Sequence, residues 1–433
     1  MLKVPSPLTP LPGTGEGNSI MSNTLPQILK GFRDYLPKEQ ITRKNVLAKI
    51  SETFESFGFL PMDTPALEYY ELLGGKYGDE GEQLMYKFQD QGERMVALRY
   101  DLTVPLARVM ASNQDLAKPF KRYQIALAWR ADKPQKGRYR EFMQCDVDVI
   151  GSSSINADAE TIAAMDAAYK SLGLDDVVLK FNNREIVDQA LDKLQMSDEK
   201  KVLFMRTMDK LDKVGEGKVL EFLKNVGFNS EILRTYSKVM DELAQEYIQQ
   251  MQGLLKAMGI ERAEFDKYLV RGMDYYTGVV FEFFLPKKLD FGSIGGGGRY
   301  DKLIGNITGK DTPAVGGSIG LDRMLTAMEE LGLVESQPSA QVLVMNLDEK
   351  LIVDYLKIVN NLRNAGIATD FYYDVTKIDK QFKYAESLNI PLAVIVGPDE
   401  IKNKQANIKI LSKKEQKTVD LDDLLKEVKG SLT

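Results

Sequence analysis

Two stretches with strict alternation constrain this chain more than anything else in it. In KRYQIALAWR (121–130), Tyr123, Ile125, Leu127 and Trp129 fall on one side, and Arg122, Gln124, Ala126, Ala128 and Arg130 on the other. In YREFMQCDVDVIG (139–151), Met143, Cys145, Val147 and Val149 oppose Arg140, Phe142, Gln144, Asp146 and Asp148. Successive side chains of a strand point to opposite faces, so both stretches are predicted to be strands with an apolar side suited to helices. Antiparallel sheets allow such a split. The other side carries two carboxylates, arginines and an amide, which suits a bound ligand better than bulk water.

The 433 residues allow two or three domains and a sizeable core. With 43% hydrophobic and 28% charged residues, the composition is that of an ordinary soluble protein, and no apolar run approaches a bilayer's thickness. The single cysteine, Cys145, excludes an intrachain disulfide and a multi-cysteine metal site, and fits a cytoplasmic location. A net charge of −6 is not that of a protein that coats nucleic acid by bulk attraction, so an RNA partner has to meet local basic patches. The chain contains no histidine. Ser-His and Cys-His nucleophiles and His-metal sites are therefore excluded, and proton transfer falls to carboxylates, Lys, Tyr, water or the substrates.

Residues 1–20 are rich in Pro, Gly and small polar residues, without an apolar core or an arginine. They read as a disordered tail, or as sequence upstream of a start at Met21, and as no targeting signal. Pro37 to Phe57 suits an amphipathic helix closed by Gly58, and Pro65 sits where an extended segment enters a helix. Residues 84–98 read as a hairpin turning at Gln91 and Gly92, 156–172 as a helix, and 177–183 as a strand. From about 184 to 265 the pattern is helical with no strand signal, which predicts an inserted helical subdomain. AVGGSIGLDRML (314–325) reads as strand, turn and helix. Beyond residue 340, VLVMNL, ATDFYY and PLAVIVG alternate with helical stretches, which predicts a compact α/β domain with a mainly parallel or mixed sheet.

LVRGMDYYTG (269–278) and GSIGGGGRYDKL (292–303) place Arg271, two adjacent tyrosines and the run Gly295 to Gly298 in one hairpin-and-loop unit. A packed core has little use for that combination, whereas a pocket holding a small, flat, polar ligand beside a phosphate does. Glycine there permits close backbone approach and positive φ.

These motifs resemble the histidine-specific signatures of the histidyl-tRNA synthetases, and the resemblance extends over about residues 24–430. The three motifs of class II aminoacyl-tRNA synthetases are similarly matched: Pro65 after a long helix, the stretch FKRYQIALAWRADKPQKGRYREFMQCDVDVIG, and GGSIGLDRM ending at Arg323. The resemblance implies an α+β catalytic domain (21–335) on an antiparallel sheet with helices, interrupted by the helical insertion, and a C-terminal α/β domain (340–433) that binds the anticodon. It also implies a homodimer formed through the first motif.

By the same resemblance Arg130, Arg271 and Arg323 are the catalytic cations, and a fixed guanidinium matches phosphate oxygens while charge develops at phosphorus. Arg130 would meet the amino-acid carboxylate and the α-phosphate, Arg271 the same pair, and Arg323 the ATP tail. Arg138 and Phe142 complete the ATP set, Phe142 stacking on adenine. Asp101, Thr103 and Gln144 would hold the α-ammonium of L-histidine, Asp148 its ring N–H, and Tyr275 and Tyr276 would line the imidazole slot. No protein metal ligands are implied, Mg²⁺ travelling with the nucleotide. Lys402, Lys404 and Lys409 could meet tRNA phosphates or form a solvated face. Asp101 stands where many bacterial relatives have glutamate, and Ala131 and Met143 where some have histidine.

The resulting expectation is a cytoplasmic, ATP-dependent histidine–tRNA ligase acting on the tRNA for histidine. A regulatory subunit of ATP phosphoribosyltransferase, or an inactive tRNA-sensing paralogue, is the alternative. The former usually lacks the C-terminal domain and the histidine signatures, and the latter would be expected to lose the phosphate-facing arginines.

Overall fold

The computed structural model describes residues 27–270, 275–286, 292–334 and 338–432. The expected tail (1–20) and Arg271 lie outside the described residues. The larger sheet has eight strands in the order Leu60–Pro61, Phe120–Trp129, Glu141–Ile150, Ala314–Gly320, Gly295–Arg299, Val279–Phe284, Val178–Asn183, Ala263–Phe265. Its interior pairs are antiparallel, and only the outermost strand at each edge runs parallel to its neighbour.

Register confirms the split read from the alternating stretches. Arg122 pairs with Asp148, Gln124 with Asp146, Ala126 with Gln144 and Ala128 with Phe142, so the polar side chains of both strands share one face. The opposite face is buried under two helices, Pro37–Ser56 and Ile155–Ser171, where Ile50, Phe54, Ile162 and Met165 pack on Cys145 and Val147. Burying a side chain the size of Phe54 or Ile50 contributes roughly 2–3 kcal/mol. The first helix begins at a proline, whose fixed φ suits a first turn, and Gly58 just beyond its end adopts φ +76°. Ser154 caps the second by accepting from the Asn156 amide.

The glycine run departs from expectation. Gly295–Arg299 is a strand in the middle of the sheet, and none of its glycines takes a positive φ. Close approach alone accounts for them: a Cβ on Gly298 would come within 2.7 Å of the Tyr276 ring. In the neighbouring strand, a Cβ on Gly317 would collide with Met165 of the core, and one on Gly316 with Asp148 of the polar face. Adjacent glycines thus relieve crowding on opposite sides of one strand.

Two further differences are local. The helices between Arg184 and Ala257 close on their own apolar cluster, including Phe204, Leu223, Tyr236 and Met240, but Ala263–Phe265 then joins the sheet edge beside Val178–Asn183. Three residues are too few to show alternation. After Pro65 the chain first enters a short strand, Leu67–Tyr69, before the helix Tyr70–Leu73. That strand and the expected hairpin, Lys87–Gln89 with Met95–Leu98, form a three-stranded sheet.

The last sheet has five strands, ordered Thr369–Phe371, Val342–Val344, Leu392–Ile395, Gln405–Ile410, Glu415–Asp420. The first three are parallel and the last two antiparallel, the mixed arrangement expected. Among the described residues no helix is long and apolar enough to cross a membrane.

Candidate active site

A cavity of about 300 Å³ opens on the polar face of the large sheet. Asp101, Thr103, Arg130, Arg138, Phe142, Gln144, Asp148, Tyr275, Tyr276 and Arg323, every sequence-predicted site residue that is described, line it. Residues distant in sequence converge because the two alternating strands, the glycine strand and Ala314–Gly320 are neighbours.

At the outer end, cations and aromatic rings are interleaved. The Arg130 guanidinium lies 4.3 Å from the Tyr100 ring centroid and 5.2 Å from that of Phe142, and its Nε donates to the Tyr100 carbonyl at 3.0 Å. Held on one edge, the group keeps its remaining donors for a ligand. Arg323 Nη1 donates to the Ser293 carbonyl at 2.9 Å, and Arg138 is exposed on the loop joining the two alternating strands. Behind Arg323, the buried Asp322 carboxylate accepts from Arg43 at 2.5 Å, Tyr35 at 2.9 Å and the Met143 amide at 3.0 Å.

The inner end is acidic. Asp101 Oδ1 accepts from Tyr77 at 2.9 Å and from the Thr103 and Val104 amides at 3.1 Å, which satisfies donors in the first turn of the helix Thr103–Ser112. Its Oδ2 is buried without a partner. Burial pushes the Asp101 carboxyl above the usual carboxylate range despite the opposing pull of Arg130. Asp148 accepts from the Tyr300 hydroxyl, and Arg122 Nη2 stands 2.8 Å from its other oxygen, an ion pair without hydrogen-bond alignment. Burial raises the Asp148 carboxyl too, Arg122 offsetting part of the effect. Gln144 donates to Ser318 at 2.8 Å, which leaves its carbonyl oxygen buried and unpartnered. Tyr275 packs edge-on to Tyr276 at 4.9 Å, and burial holds its hydroxyl protonated.

Sequence reasoning overlooked several lining residues. Asp146 was on the polar face but had no assigned role, and Ser318, Tyr300 and Asp322 sit inside or beside recognised motifs. Alternation alone could have found Asp146. Tyr77 offered no signal, since only the fold brings it to Asp101. Cys145 faces the core, where burial pushes its thiol up and leaves it inert. In the last domain, Lys409 lies 4.1 Å over the Phe382 ring, while Lys402 and Lys404 are exposed.

An antiparallel sheet with flanking helices, carrying arginines at one end of its pocket and carboxylates at the other, defines a catalytic domain of the class II synthetase type. Residues 31–324 match the family model of histidyl-tRNA synthetase, and residues 341–431 that of an anticodon binding domain. The histidine–tRNA ligase of Rhodopirellula baltica is 40% identical, the alignment covering 91% of this chain and 95% of that protein. A solved histidyl-tRNA synthetase from Nostoc superposes with a TM-score of 0.82 at 30% identity, covering 93% of this chain and 99% of that one. A structure from Bacillus halodurans described as an ATP phosphoribosyltransferase regulatory subunit/histidyl-tRNA synthetase superposes at 0.67 with 26% identity, covering 83% and 96%. The chain belongs to the histidyl-tRNA synthetase family.

Proposed function

We propose that this chain is a histidine–tRNA ligase that activates L-histidine with ATP and transfers it to the 3′ end of the cognate tRNA. The observation that carries the reading is one cavity with fixed guanidinium groups at its mouth and buried carboxylates at its base. Such a site suits a triphosphate and an amino acid laid end to end. The histidine carboxylate attacks the α-phosphorus in line, and pyrophosphate leaves. Arg130, oriented by the Tyr100 carbonyl, neutralises the charge that grows on the phosphoryl oxygens. Arg323 and Arg138 hold the nucleotide tail, Phe142 stacks on adenine, and Arg271 joins the carboxylate and α-phosphate. Magnesium travels on the phosphates. The arginines are the protein's own cationic contribution.

The substrate ammonium is held by Asp101, Thr103 and Gln144, and its ring lies against Tyr275, Tyr276 and Asp148. Buried groups that demand hydrogen bonds from a ring reject analogues lacking them, by about 10⁴–10⁵ in favourable cases. With no histidine side chain in the protein, the proton released on transfer goes to a phosphate oxygen or water. A pH–rate profile with an imidazole-like step that persists when substrate titration is accounted for would argue against this.

The catalytic unit spans 21–335 with its insertion at about 184–265, and the unit from 340 onward reads the anticodon. The 84% exposure of Tyr373, whose ring stands edge-on to Phe371 and offers its surface to a base, supports the latter role. A homodimer is supported by Leu67, Tyr69 and Phe88, exposed apolar side chains on the three-stranded sheet. The experiment that tests the whole reading is pyrophosphate exchange into ATP with each amino acid in turn. Exchange with histidine alone is expected. Its absence in folded protein supplied with Mg²⁺ would move the weight to a regulatory subunit or tRNA sensor.

A further inference from the structure

Among the described residues, three buried acceptor oxygens with neither a hydrogen bond nor an ion pair line the same cavity: Asp101 Oδ2, Gln144 Oε1 and Asp146 Oδ1. An unpaired buried acceptor costs about 1–3 kcal/mol, so several in one pocket point to a ligand that satisfies them. Resting on the reading of this pocket as the histidine site, we propose that Asp146 is a further acceptor for the substrate's α-ammonium, beside Asp101, Thr103 and Gln144.

Asp146 lies between Gln144 and Asp148 on the polar face, paired with Gln124 on one side and Ser318 on the other. Gln124 is turned away, its amide donating to Asp63 at 2.8 Å and Thr64 at 3.0 Å. Arg122, the nearest strand's cation, lies beside Asp148 and donates to Gln124 and the Leu102 carbonyl. The Ser318 hydroxyl bonds to the Asp146 carboxyl from the next strand. The side chain is 3% exposed and still faces the cavity. An ammonium donates hydrogen bonds and accepts none, so buried acceptor oxygens lining one cavity suit it.

Charge points the same way. Asp101, Asp146 and Asp148 are close enough to repel one another, and Arg122 is the cation that acts on the latter two. A cationic headgroup relieves that imbalance, whereas a second anion would worsen it. Burial foremost, then the neighbouring Asp148 and Asp101 against the pull of Arg122 and Ser318, pushes the Asp146 carboxyl up to about 7. An arriving ammonium reverses that trend and favours the ionised form.

The test pairs a residue change with a ligand change. Wild type and Asp146→Asn are titrated with L-histidine and with 3-(imidazol-4-yl)propionate, which keeps ring and carboxylate but lacks the ammonium. We expect the variant to bind L-histidine at least tenfold more weakly and the des-amino ligand within twofold of wild type. Equal weakening of both ligands would overturn the proposal, placing Asp146 on the ring or in the pocket's framework, and so would no weakening of either. ATP binding reports folding of the variant. Should it be lost, Asp146→Ser, smaller and uncharged, carries the same comparison. If wild type itself fails to exchange pyrophosphate with histidine, the functional reading falls instead.

Discussion

Asp148 Oδ1 occupies the space that a Cβ on Gly316 would need. The two residues are cross-strand partners, so the carboxylate leans over its neighbour and receives the Tyr300 hydroxyl there. Gly316→Ala cannot be absorbed by a flexible chain end, because Arg122 also pins Asp148. The expected result is a KM for histidine raised about tenfold or more, roughly 1.4 kcal/mol, with ATP affinity near wild type. An unchanged KM would mean that the carboxylate has freedom the packing denies it.

Asp322 next to Arg323 links parts of the chain that are far apart. Its buried carboxylate takes Arg43, Tyr35, Arg33 and the Met143 amide, joining the N-terminal segment, a sheet strand and the helix Leu321–Glu330. Asp322→Ala leaves the buried Arg43 without its anion, and stranding one partner of such a pair costs about 3–5 kcal/mol. Chemical denaturation should show that loss, and the KM for ATP should rise as Arg323 loses its fixed base. Stability within about 1 kcal/mol of wild type would refute the central role given to this carboxylate.

The alternation in 121–130 and 139–151 was enough to read the ligand face and the core face, because burial on one side forces a period of two. The glycine run was not legible as a strand, since glycine lacks any side-chain pattern and its intrinsic preference is for turns. Its role shows only when Tyr276 and Tyr169 are seen pressing on the positions where side chains would be. Asp146 stood in plain view on the polar face. Its unpartnered oxygen, however, is a property of packing that no spacing reveals. Tyr77 reaches Asp101 across a loop and lies beyond any local pattern.

Stability should depend on pH through Asp146. Its carboxyl, normally near 3.8, is pushed up to about 7 by burial, so folding favours the protonated form. Stability contributed by that proton is full below about 4 and is lost as pH rises through about 7. In ligand-free protein, Asp146→Asn should therefore gain more over wild type in melting temperature at pH 8 than at pH 4.5. Identical differences at both pH values would show that the carboxyl titrates in its ordinary range.

The exposed apolar side chains of the three-stranded sheet give a separate prediction. Tyr69 and Phe88 both pair with Val96, so they share one face, with Leu67 two residues along its strand. Replacing Leu67 and Tyr69 together by Asp adds charge to that face without touching the buried side, where Glu68 holds Arg108 at 2.8 Å. Sedimentation should show dimers of wild type and monomers of the variant at micromolar concentration. Monomeric wild type would remove the basis for the proposed assembly.

A chain with no histidine of its own offers a direct view of the substrate. In a complex with L-histidine, every imidazole proton resonance belongs to the ligand, so its titration can be followed without isotope labelling. Asp148 is held as an acceptor by Tyr300 and Arg122. If it takes the ring N–H, its negative charge favours the protonated ring, whereas burial opposes it. Replacing Asp148 with Asn removes the charge and leaves the burial, so the bound ring should titrate at lower pH in the variant than in wild type. Should the two titrations coincide, the ring does not sit on Asp148, and the imidazole slot has to be assigned to other residues of the cavity.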